Sequence, residues 1–375
     1  MYWRIEEEKG RRINLTFNDI WTVRNGIYGV NGTEYGMRSQ PIEYWMYPWN
    51  NSWVSFGYIP GAYSNLSPAI AESSYQLCVA YADANNYWTR ILTKKGMEQN
   101  WTPATITGAH TTTGVTMAYN GNKYVLVHVG HIYNEWCATD HRLFFQTSTD
   151  CLLWSPPQDI KDYNYWPYGS RFWARGSGKP AISWSPQINK FVLVYADYHD
   201  YLYDQNSLYI AYMDPKNNRW RVGYWPAGNL TEANGYTDLK AVGAISLLCR
   251  TDNKSCVLSW RDDSKEYSGH VRSVIIDHVY NGYDYEPRIT SRIISSYTSS
   301  HGVGNGTFYA ADPDNTPINY FRIIGNLNQN RLEMLKIFGN TLSADTNIWD
   351  AVNSCIYSVL NTIFAVGVSG LYDYK

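Results

Sequence analysis

The chain has 375 residues and sets 31 basic against 33 acidic side chains. That is length for one large or two ordinary domains, with too even a charge to build the one-signed field that draws nucleic acid or anionic lipid. Charged residues make up 17%, whereas Tyr (34) and Trp (16) are heavily used; aromatics favour pleated strands and pair an apolar face with a polar handle.

Taken in chain order, 2–6 and 11–16 read as a strand pair, and 18–66 is an irregular stretch, either an extra blade or a decorated connection. From residue 67 a pattern recurs. Ala69-Ile-Ala71, a Ser73-Ser74 turn and Gln76-Leu-Cys-Val-Ala-Tyr81 form the first hairpin. Val115 to Tyr119, a polar turn ending at Lys123 and Tyr124 to Val129 form the second. Ala181-Ile-Ser-Trp-Ser185 with Phe191-Val-Leu-Val-Tyr195, and Ala244-Ile-Ser-Leu-Leu-Cys249 with Cys256-Val-Leu-Ser-Trp260, repeat it. A strand, a turn and a strand opening near a Trp (Trp101, Trp154, Trp220) follow the first three hairpins. Each unit thus holds four strands in roughly fifty residues, the size of a propeller blade.

Convincing helical periodicity is absent, so an all-β fold is expected: one β-propeller of four-stranded blades, six or seven in number, with six preferred. The blades fall at about 67–110, 111–162, 179–230, 240–293 and 301–350. A closing blade joins 353–375 to 1–17, so that strands from both chain ends share one sheet. The stretch from Ser354 to Tyr372 nearly has the length of a membrane span. Its polar residues suit a hairpin turning at Asn361-Thr362 instead, and no membrane span is expected.

Six Cys include no C-x-x-C pair of zinc or redox type. Cys249 and Cys256 could face each other across a hairpin, and Cys137 and Cys151 bracket another strand and its turn; free buried thiols are the alternative. Sequons stand at Asn14, Asn31, Asn50, Asn65, Asn100, Asn229, Asn253 and Asn305. Together these suggest a secreted protein, although Met1 to Glu6 lacks the pattern of a secretory leader.

The string Ser148-Thr-Asp150-Cys-Leu-Leu-Trp154 resembles the Asp-box (BNR repeat) turn of the sialidase-like β-propellers, S/T-x-D-x-G-x-x-W, one residue short and without the Gly. The resemblance implies a propeller in which Asp and Ser tie down the turn between third and fourth strands while the Trp wedges between sheets. Sialidase activity would call for three sugar-clamping Arg after an early Phe-Arg-Ile-Pro. The nearest string, Phe321-Arg322-Ile323-Ile324, lacks the Pro and lies late in the chain.

In a propeller the turns within strand pairs one–two and three–four share one face. Here they are short, as at 120–123, 185–190 and 214–219. The opposite face carries the long segments 130–141, 163–178, 197–206 and 261–269, and loops longer than stability requires usually carry function. Tyr133, Trp136, Tyr198, Tyr201, Tyr203 and Tyr267 could stack on sugar rings, with His141 and His199 beside them. Trp173 should approach the axis, where Arg171 or Arg175 could clamp an acidic sugar. Asp140, Asp197, Asp200, Asp204, Asp262 and Asp263 could accept from hydroxyls or hold a hard cation such as Ca2+.

Asp83, Asp197 and Asp262 each close a second strand at an equivalent position. That placement suits capping of loop amides; divergence of Asp140, Asp197 or Asp262 into a catalytic carboxylate is the alternative. His128, His131, Asp140 and His141 do not make a metal site, because i and i+3 on a strand face opposite ways. Nucleophile-elbow, phosphate-loop and dinucleotide signatures are absent, and no cofactor is expected. The reading favoured is glycan recognition, with a glycoside hydrolase and a protein-interaction scaffold as alternatives.

Overall fold

The computed structural model describes most of 54–344, together with 5–6, 12–13, 40–47 and 363–368; the longer breaks in the main part fall at 96–99, 131–140, 163–171, 198–205, 223–229, 231–238, 310–317 and 326–330. Every regular element among the described residues is a strand. None is a helix long and apolar enough to cross a membrane.

Five antiparallel four-stranded sheets have their strands in chain order. Blade one is Ala69–Glu72, Gln76–Ala82, Thr89–Lys95 and Thr102–Pro103. Blade two is Val115–Tyr119, Tyr124–Gly130, Arg142–Ser148 and Gln158–Asp159. Blade three is Ala181–Ser185, Lys190–Ala196, Leu208–Asp214 and Arg219–Val222. Blade four is Ser246–Cys249, Ser255–Arg261, His270–Tyr280 and Tyr285–Thr298. Blade five is Gly302–Tyr309, Ile318–Gly325, Arg331–Phe338 and Thr341–Ala344.

First strands of successive blades pack on one another from blade one to blade five. This is the β-propeller arrangement expected from the repeats. The second strand of each middle blade lies between two sheets and so is apolar on both faces; every residue from Tyr124 to Gly130 is buried. A first strand is an edge whose outward N–H groups lack a ladder partner. Small hydroxyl residues supply one. Ile182 N donates to Thr116 Oγ1 at 3.3 Å, and Cys249 N donates to Ser183 Oγ at 2.9 Å.

A three-stranded sheet joins distant parts of the chain. Ile363–Val368 pairs with Gln40–Tyr47, which pairs with Val54–Ser64. Ile5–Glu6 and Arg12–Ile13 pair only with each other among the described strands. Ile363–Val368 and the stretch 40–64 thus share one sheet. The interrupted register there, shifted between Pro41 and Glu43 and again between Glu43 and Trp45, hides the alternation that would mark a strand. The first arm of the expected 353–369 hairpin lies outside the described residues.

Trp residues opening fourth strands act as wedges. Trp154 of blade two packs with Cys78, Ala80 and Ile91 of blade one. Trp220 of blade three meets Phe145 of blade two edge-on, with ring centroids 5.5 Å apart. The turn before Trp154 is held as its sequence suggests. Asp150 Oδ1 accepts from Ser148 Oγ, Leu152 N and Leu153 N at 3.0, 2.8 and 3.0 Å. These bonds hold the Asp150 carboxyl below its ordinary range against the opposing effect of burial. Within this turn Cys151 takes a left-handed backbone, φ 58°.

Cys151 is tied to Cys78, and Cys249 to Cys256. The second link is the expected cross-hairpin pair. Cys151 therefore does not pair with Cys137, which lies outside the described residues. The Cys78–Cys151 link spans 73 residues and staples blade one to blade two. Replacing both cysteines by Ala is expected to cost about 4 kcal/mol, read from the denaturant midpoint, because so long a loop restrains the unfolded chain strongly.

Candidate functional site

Where second strands end and third strands begin, one motif recurs in blades one, three and four. Asp83, Asp197 and Asp262 donate their N–H groups to the carbonyls of Trp88, Ser207 and His270 at 2.8–2.9 Å. Their own carbonyls accept from Tyr87, Asn206 and Gly269. Those three residues have left-handed backbones, φ 57°, 70° and 83°, which turn the loop back into the third strand.

The connections between blades run alongside these loop bases. Gly176 N donates to His141 O at 2.9 Å, and Gly176 bridges Asp197. Ser207 bridges Lys240, and Ala241 bridges Asp262. Nearer the first strands, a Cβ on Gly178 would lie 2.5 Å from Gly243 O, so the connections entering blades three and four pass at a spacing that only Gly permits. The bases of 130–141, 163–178, 197–206 and 261–269 thus form one continuous row on one face. The short turns lie at the opposite ends of the same strands.

The structure places the carboxylate candidates differently. Asp262 is fully buried, with Oδ2 3.0 Å from Arg272 Nη1. Its Oδ1 accepts from Ser264 N at 2.7 Å and from the Ser264 hydroxyl. The Arg272 guanidinium lies 5.5 Å over the Trp260 ring, whose Nε1 donates to Lys240 O. Both Asp262 oxygens are therefore committed to the loop base, as the capping reading expects. Asp83 is more open: Oδ1 accepts from Asn85 N, and Oδ2 faces Arg90 Nε at 3.5 Å.

Asp197 is buried, 5% exposed, two residues beyond Tyr195 on the same strand face. Burial, and then the Asp197 charge, push the Tyr195 hydroxyl well above its ordinary range. His141 is half-buried at the start of the third strand in blade two, with φ 33°. Trp173 lies in Phe172–Trp173, paired with Lys161–Asp162. Asp140, Trp136, Arg171, Arg175, Tyr198, His199, Tyr201 and Tyr267 lie outside the described residues.

Two residues of this face were missed in the sequence. Arg272 lies in mid-strand, ten residues past its partner Asp262, with no local signal. Trp88 sits just outside the strand pattern, and its exposure depends on tertiary packing.

The chain matches no protein-family model, and no curated protein matches it in sequence. Among solved structures, a Penicillium chrysogenum alpha-L-arabinanase is 14% identical, over 78% of this chain and 81% of that one, with a TM-score of 0.46. A Bacteroides fragilis protein described as a 6-phosphogluconolactonase is 10% identical over 88% and 80%, also with a TM-score of 0.46. B. subtilis levansucrase is 10% identical over 72% and 82%, with a TM-score of 0.38. Similarity this distant says nothing about activity.

Proposed function

We propose that this is an extracellular propeller that recognises glycans with one face. The observation that carries the reading is the row of hydrogen-bonded loop bases. It brings to one side the bases of four sequence-distant segments whose sequences are rich in aromatic, acidic and amide residues, the side chains that stack on pyranose rings and bond their hydroxyls. The two disulfides fit an oxidising compartment. The Ser148–Trp154 turn supports kinship with sialidase-like propellers at the level of architecture.

The test is a glycan array probed with the oxidised chain. Binding is expected, falling at least about tenfold in Trp173→Ala with melting unchanged, since buried aromatic anchors dominate such interfaces. Failure to bind any glycan would remove the reading and leave the rim as a protein-interaction surface.

A second reading, glycoside hydrolysis, is favoured by one observation: the buried carboxyl of Asp197 at the loop base, beside Tyr195. Its check is a screen of chromogenic glycosides with Asp197→Asn. Hydrolysis lost at least about a hundredfold in the variant supports it, in line with general acid–base catalysis. Hydrolysis that survives the substitution excludes Asp197.

A further inference from the structure

We infer that Trp88, with Arg90 and Asp83 beside it, forms a preorganised sugar-stacking platform at the blade-one end of this face. The inference rests on the glycan reading above and names a subsite of it.

Trp88 is the one Trp among the described residues that ranks as an exposed large hydrophobic, at 43%. Trp154, Trp220 and Trp260 are buried between sheets at 9%, 3% and 0%. The wedge role of Trp154 and Trp220 does not account for Trp88. Leaving so large an apolar side chain in water gains the fold little, and contact with a ligand would use it.

The platform is fixed before any ligand arrives. Trp88 N donates to Asn86 Oδ1 at 3.1 Å, its carbonyl accepts from Asp83 N at 2.9 Å, and its backbone bridges His110. The indole meets the His110 ring edge-on, with centroids 5.5 Å apart. Tyr87, in a left-handed conformation, sets the turn that presents it.

Polar groups lie on the same side. Arg90 is two residues along, so it projects to the same face as Trp88. Its side chain is 53% exposed and stands 3.5 Å from Asp83 Oδ2. So loose a pair on an open surface contributes little to stability and leaves guanidinium donors and a carboxylate acceptor near the ring. A flat apolar face flanked by a donor and an acceptor matches a pyranose, which offers an apolar C–H face and hydroxyls at its rim. The ligand class is a pyranose oligosaccharide.

The experiment titrates the oxidised full-length chain with cellohexaose, mannohexaose, xylohexaose and an oligogalacturonate, reading tryptophan fluorescence and calorimetric heat. The parent chain is expected to bind at least one of them. Trp88→Ala is expected to weaken that binding at least about tenfold with an unchanged melting curve. Trp88→Phe, which keeps a flat ring, should hold affinity within about threefold, and Arg90→Ala should fall between the two. Undiminished binding by Trp88→Ala would overturn the platform while the glycan reading stands. A parent chain that binds none of the four would overturn the platform, and the glycan array above separately decides the broader reading.

Discussion

Asp262→Ala is expected to destabilise the protein by about 3–5 kcal/mol, because it breaks a buried ion pair by removing one partner. The Asp262 side chain is 0% exposed and that of Arg272 6%, with 3.0 Å between the charged atoms. Removing the carboxylate also frees Ser264 N, which it bonds at 2.7 Å, at the base of the 261–269 loop. Replacing both charges, as in Asp262→Ala with Arg272→Met, should recover most of the loss, because breaking a buried pair costs more than replacing it whole by apolar groups. Denaturant midpoints of the two single variants and the double variant measure this. A variant of parental stability would show that the pair does not hold the loop.

Acidification from about pH 7 to pH 5 is expected to cost about 4 kcal/mol through two buried histidines. Burial lowers His128 from 6.5 to about 3, with the nearby His110 adding to the effect. Burial alone lowers His278 from 6.5 to about 4. His128 stacks on Phe144, with centroids 5.7 Å apart. His278 Nδ1 lies 3.0 Å from the Tyr212 hydroxyl, and its Nε2 lies 3.2 Å from Cys256 Sγ.

The sign follows from where the proton binds. Above pH 6.5 both imidazoles are neutral in the folded and unfolded chains, and neither contributes. Below it the unfolded chain takes up protons that the folded one refuses, down to about pH 4 for His278 and about pH 3 for His128. Each unit in that window costs about 1.4 kcal/mol per histidine. Asp150 and Asp284, held below their ordinary 3.8, add their loss only at the acid end. His128→Phe should remove about half of the slope between pH 7 and 5. A midpoint that stays flat over that interval contradicts the assignment.

The repeats were legible because a propeller reuses one physical solution. Second strands caught between two sheets must be apolar on both faces, and strings such as Tyr124 to Val129 and Phe191 to Tyr195 announce it. The cross-hairpin link of Cys249 and Cys256 was readable from its turn, since register partners seven residues apart need only local structure. The Ser148–Trp154 turn was readable from side chains that bond their own backbone.

What the sequence hid was long-range. Cys78 and Cys151 meet because adjacent blades pack, and no spacing encodes that. The strand Ile363–Val368 pairs into the stretch 40–64, whose shifted register breaks the strand alternation. At the site, the shared position of Asp83, Asp197 and Asp262 at second-strand ends was apparent. The commitment of Asp262 to Arg272 was not, and neither was the exposure of Trp88, because both depend on which side chains the neighbouring strands bring.

The proposed function needs a single working face. Hydrogen exchange of the full chain with and without a bound oligosaccharide tests it most directly, since amides covered by ligand slow their exchange. Protection is expected in peptides spanning 83–90, 130–142, 171–178, 197–207 and 261–270. Protection confined to the turns at 120–123, 185–190 and 214–219, at the other end of the same strands, would contradict it.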